Sequence, residues 1–76
     1  MKSEQQSEEL KKLAAIASDL GLLVDLRTKA TELLGNIGTH EALLVLLELA
    51  GTERLPVVER DLALKKARDL IKSGRS

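Results

Sequence analysis

Residues 25–43, DLRTKATELLGNIGTHEAL, constrain the fold more than any other stretch, because two apolar-periodic segments meet there at a Gly-Asn-Ile-Gly corner. Leucines and alanines recur at three- and four-residue spacing on both sides, which is the period of a half-buried helix. Gly35 and Gly38 allow a sharp backbone turn, and Thr39 is placed to cap the next helix through its hydroxyl. The stretch reads as a helical hairpin.

The same period extends along the chain and predicts an all-α, compact four-helix unit of antiparallel hairpins. One domain covers residues 1–76, with helices at about 4–20, 22–36, 40–50 and 57–72 and a disordered tail at 73–76. Ser3 and Gln6 form a capping-box pattern for the first helix. Leu10, Leu13, Ala14, Ala17 and Leu20 make its apolar stripe, and Gly21 is its natural stop. In the second helix Leu23, Leu26, Ala30, Leu33, Leu34 and Ile37 cluster around Ala30, with Asp25, Thr28, Lys29, Thr31 and Glu32 opposite. In the third, Ala42 to Ala50 is apolar almost all the way round, relieved only by Glu41 and Glu48. Such a helix must be surrounded, either by its neighbours or by another molecule. Gly51 ends it, and Pro56 suits the first turn of the fourth. There Ala63, Leu64, Ala67, Leu70 and Ile71 form the core face, and Val58 and Leu62 point outward.

Composition narrows the chemistry. The chain holds 17 leucines and 8 alanines but no Phe, Tyr, Trp or Cys. Disulfides and thiolate metal sites are excluded, and so is aromatic stacking on single-stranded nucleic acid. Net charge is zero, which removes a global electrostatic attraction to nucleic acid or an anionic membrane. The single His40 lies at a helix start with no nucleophile to serve. Glu8 and Glu9 are adjacent and diverge by about 100° on a helix, so they do not pair. Phosphate-cradling and dinucleotide fingerprints are absent, and neither a metal nor a cofactor is expected. Met1-Lys2 is followed by Ser, Glu and Gln rather than an apolar run, and Ala42–Leu47 is far short of the ~20 residues that span a bilayer. A cytoplasmic protein is the expectation.

Leu26-Arg27, Ala30, Leu34-Gly35, Ile37-Gly38 and Ala42, in that order and spacing, resemble the HEAT-like repeats of the phycobilisome-lyase type. Their outline is valine-arginine, alanines, leucine-glycine, isoleucine-glycine, a polar turn and an alanine. The likeness covers residues 25–50, about a third of the chain. It implies hairpins that stack, and it implies for Arg27 a structural contact with a neighbouring repeat. Residues 60–71 echo residues 26–34 weakly, with Lys29-Ala30 matching Lys66-Ala67 and no second glycine corner. The expected arrangement is one full repeat with a half-repeat on each side. Some relatives of this repeat type belong to bilin lyases, yet no residue set here would attach or release a chromophore.

These features point to a non-enzymatic protein–protein interaction or assembly module, partnered by another protein or by itself and without a small-molecule substrate. Its candidate partner-binding residues are Val58, Leu62, Lys65, Lys72 and Val45. The alternative is nucleic-acid binding through the glycine corner and the basic last helix, where Lys65, Lys66, Arg68, Lys72 and Arg75 lie.

Overall fold

Four helices form along the chain: α1 (Lys2–Ala17), α2 (Val24–Ile37), α3 (His40–Ala50) and α4 (Val57–Ser73). The computed structural model describes residues 2–74, with side chains from Glu8 onward. The capping pair Ser3 and Gln6 lies outside the described side chains, and Arg75 and Ser76 lie outside the described residues altogether. No strand occurs among the described residues.

Helix ends show which local signals operate. Thr39 caps α3 as expected, its Oγ1 accepting the Ala42 N–H at 3.1 Å. Gly38 takes the left-handed conformation (φ 69°) and donates its N–H to the Leu34 carbonyl, so it alone makes the corner. Gly35 lies inside α2 instead. Its value is close approach: a Cβ there would sit 3.1 Å from Lys66 Cδ, so glycine lets the stem of Lys66 cross α2. The first helix stops before Gly21, at Ala17, where the Ser18 hydroxyl turns back to donate to the Ala14 carbonyl at 2.8 Å. A hydroxyl that bonds its own preceding turn competes with helix continuation. Pro56 precedes α4 rather than entering it, with an extended ψ of 150°. At the other end Ser73 closes α4, its hydroxyl donating to the Asp69 carbonyl at 2.7 Å, so the helix runs into the expected tail.

Packing joins α1 to α2 and α3 to α4 most extensively, and α2 meets both α3 and α4 while α1 touches α3. The most extensive packing is thus within two hairpins, α1–α2 and α3–α4, which stack on each other through α2. Leu10, Ala17, Ala30, Leu34, Ala42, Leu46, Leu49, Leu55, Ala63 and Ala67 form the core. Five of these ten are alanines, which let helices approach closely, and Leu34 and Leu46 fill the space between them with no residual exposure. A radius of gyration of 11.7 Å is close to the ~11 Å of a tightly folded chain this long.

The two hairpins are copies at the level of hydrogen bonding, with a shift of thirty-three residues. Asp19 N–H donates to the Ile16 carbonyl as Thr52 N–H does to Leu49, and Leu22 N–H to Asp19 as Leu55 N–H to Thr52. Leu26 and Arg27 N–H both reach the Leu23 carbonyl, and Glu59 and Arg60 N–H both reach that of Pro56. Arg27 Nη1 donates to the Leu22 carbonyl at 2.6 Å and Arg60 Nε to that of Leu55 at 3.0 Å. The register therefore pairs Ala30 with Ala63, not with Ala67 as the Lys-Ala echo suggests.

Leu46→Ala removes a fully buried side chain between α3 and its neighbours, and such truncations cost about 2–5 kcal/mol. Urea unfolding followed by circular dichroism should show a loss in that range. A loss under about 1 kcal/mol would mean that Leu46 is not central to the core.

Candidate functional site

One buried ion pair ties the hairpins together. Arg27 on α2 and Glu59 on α4 meet side-on, with Nε to Oε1 at 2.7 Å and Nη2 to Oε2 at 2.9 Å. Both side chains are more than nine-tenths buried. The remaining guanidinium nitrogen goes to the Leu22 carbonyl, and Thr31 below it donates to the Arg27 carbonyl at 3.2 Å. Among the described residues no buried side-chain nitrogen or oxygen lacks a partner. The Arg27 hydrogen bond holds the Glu59 carboxyl below its ordinary range, against the opposing effect of burial and with the guanidinium charge adding to the lowering. Glu59 in turn raises the Arg27 pKa.

This pair rotates α2 away from its leucine stripe. The residues it buries are Arg27, Ala30, Thr31 and Leu34, while Leu23, Leu26 and Leu33 are left exposed. On α4 the expected core residues Leu64 and Ile71 are likewise exposed, and Leu20 lies exposed beyond the end of α1. The third helix is not fully covered by the other three helices of the chain either. Ala42, Leu46 and Leu49 are buried, but Leu44 is 52% and Leu47 41% exposed.

The expected partner-binding residues separate into two groups. Val58 (78% exposed), Lys65 and Lys72 lie open on one stripe of α4. Leu62 shares that stripe by helical spacing but is half-buried, so it is not the outward residue the sequence suggests. Val45 is apart from them, packed against the core where α3 meets α1, in hollows shared with Ala14 and Glu48.

The residues missed by sequence reasoning form a face of the second hairpin. On α4, Val57, Arg60, Leu64 and Ile71 share one side by helical spacing, and Leu44 and Leu47 are three apart on α3. Of their counterparts in the first hairpin, Arg27 and Thr31 are buried and Ala14 is half-buried, whereas Val24, Gly38 and Lys11 are exposed. Thr31, 5% exposed beneath α4, corresponds to Leu64, 53% exposed. Arg27 corresponds to Arg60, whose Nε meets Leu55 while its other two nitrogens have no partner among the described residues. Lys11, exposed, and Ala14, half-buried, line a hollow between α1 and α3 and correspond to Leu44 and Leu47. The signal available in the sequence was the recurrence of arginine thirty-three residues on.

Other features carry less chemistry. A hollow of about 440 Å³ between α1 and α2 is lined by Glu9, Lys12, Leu13, Leu33, Asn36 and Ile37. His40 is exposed at the start of α3. At the glycine corner the Ala42 N–H is already taken by Thr39, and Glu41 stands beside it. Among the described residues no three His, Cys, Asp or Glu side chains group to hold a metal, and no helix is long and apolar enough to cross a membrane. No protein-family model matches the chain, and no curated protein or solved structure does.

Because the folded Glu59 pKa is depressed, its contribution to stability is complete above the ordinary glutamate value, about 4.3. It is lost as pH falls through the lower folded value. Urea midpoints measured from pH 6 down to pH 3 should therefore fall, and in Glu59→Gln this component of the acid sensitivity should vanish. At pH 7 Arg27→Met should destabilise more than the double variant Arg27→Met/Glu59→Met, because the single change strands a buried carboxylate. Equal acid sensitivity in Glu59→Gln would show that the pair does not couple the hairpins.

Proposed function

We propose that the chain is a non-enzymatic, cytoplasmic protein-docking module built from HEAT-like helical hairpins. The observation that carries this reading is the open apolar face of the second hairpin, where Leu44, Leu47, Leu64 and Ile71 are all exposed. Leucines scattered singly over a surface need no explanation; four large apolar side chains on the outer sides of the paired helices α3 and α4 suit a surface that another protein covers. The repeat of thirty-three residues and the Arg27–Glu59 stitch between hairpins support the HEAT-like assignment, since stacked repeats bury each face against the next. The nucleic-acid reading has less to rest on. The corner N–H is occupied, Glu41 opposes phosphate, and Lys66 lies across Gly35 instead of projecting with Lys65 and Lys72.

Photo-crosslinking in cells tests the reading. A benzophenone side chain at position 64 should yield a protein adduct, whereas one at the exposed polar position 29 should not. Leu44→Glu should reduce the adduct at least several-fold without changing helicity. No adduct at position 64, or an adduct that nuclease removes, would contradict it.

A further inference from the structure

The contact between the two hairpins shows what the open face is built to receive. In that contact the forward side of α2 (Arg27, Thr31, Leu34, Gly35, Gly38) meets the rear side of α4. Glu59 seats on Arg27, the stem of Lys66 crosses Gly35, and Leu70 lies against Gly38. Shifted by thirty-three residues, the corresponding positions of α4 are Arg60, Leu64, Ala67, Arg68 and Ile71; Ala67 is already fully buried in the core, and Leu64, Arg68 and Ile71 are exposed. Arg60 reaches a carbonyl five residues earlier as Arg27 does, but through Nε rather than Nη1, so a carboxylate would meet its two terminal nitrogens end-on; the residue is half-buried. Where α2 has glycine for a lysine to cross, α4 has exposed Arg68, which repels a lysine and attracts an acid.

We infer that the α3–α4 face docks a helical segment of another protein that carries two carboxylates seven residues apart, one on Arg60 and one on Arg68, with a small residue at the fourth position after the first. The small residue answers to Ala63, fully buried one turn after Glu59. Leu44 and Leu47 cover the flank of that helix. A second copy of this chain is the poorer occupant: stacked head to tail it offers Leu26 where Glu59 stands and leaves Arg60 without an acid. The inference rests on the docking reading above and specifies the partner's chemistry.

The test uses the full chain and a peptide of residues 55–73 carrying Lys66→Glu, with Asp61 and Lys65 joined as a lactam to hold the helix. Calorimetry should show binding that weakens about tenfold with Glu59→Gln in the peptide, as expected for a charge-assisted hydrogen bond. Arg60→Met in the chain should weaken it about as much, and the two changes together should cost little more than either alone. Arg60→Lys should recover part of the loss. Leu64→Glu, an exposed change that spares the fold, should abolish binding. No binding at millimolar peptide, or binding indifferent to Glu59→Gln and Leu64→Glu, overturns the inference. If the position-64 crosslink persists in that case, the docking reading survives and only the partner chemistry falls. A dimer of the chain that Leu64→Glu and Leu26→Glu each dissociate would make the occupant a second copy, which also overturns it.

Discussion

The pairing of Arg27 with Glu59 is the constraint on which the arrangement of this chain depends. A core of leucine and alanine, without a single aromatic side chain, offers many nearly equivalent ways to slide one helix on another. A planar guanidinium gripped at two points by a carboxylate offers one. It sets the height of α4 against α2, and with it the crossing of Lys66 over Gly35 and the seating of Leu70 near Gly38. Burying the pair is tolerable because every donor and acceptor is met, including the nitrogen that closes on Leu22. Its contribution is better described as register than as net stability.

Register has consequences beyond the pair. Once α2 turns Arg27 and Thr31 toward α4, its leucine-rich flank is left at the rear of the first hairpin, and Leu26 and Leu33 remain open. The second hairpin repeats the same local backbone hydrogen bonds, and on the corresponding side of α4 Leu64, Arg68 and Ile71 are exposed. The chain is a stack of two with apolar surface at both ends. Stacked repeat units bury their faces by adding neighbours, and on the docking reading proposed above Arg60 and Arg68 are what a neighbour would meet.

Much of this was legible in the sequence, and the rest was hidden for identifiable reasons. Helical period gave the four elements, because apolar spacing reports burial directly. Thr39 announced its cap and Gly38 its turn. The helical wheel misplaced the inner face of α2 because it ranks arginine and threonine as outward residues, whereas a satisfied Arg27 and Thr31 are inner ones. The same weighting placed Leu64 and Ile71 in the core. The internal repeat was read at a shift of thirty-seven because Lys-Ala pairs match there by identity. The true shift of thirty-three rests on backbone hydrogen bonds and a recurring arginine, which residue identity at neighbouring positions does not reveal. Nor does a wheel say which side of an all-round apolar helix stays uncovered, since that follows from where its neighbours stop.

The most direct measurement is the solvent accessibility of individual leucine methyl groups in the isolated chain, read by NMR as relaxation caused by a soluble paramagnetic probe. If the second hairpin ends in an open docking face, the methyls of Leu44, Leu47 and Leu64 relax strongly while those of Leu34 and Leu46 stay protected. Uniform protection along α3 and at Leu64 would contradict it, because the face would then be closed by the chain itself and have nothing to offer a partner.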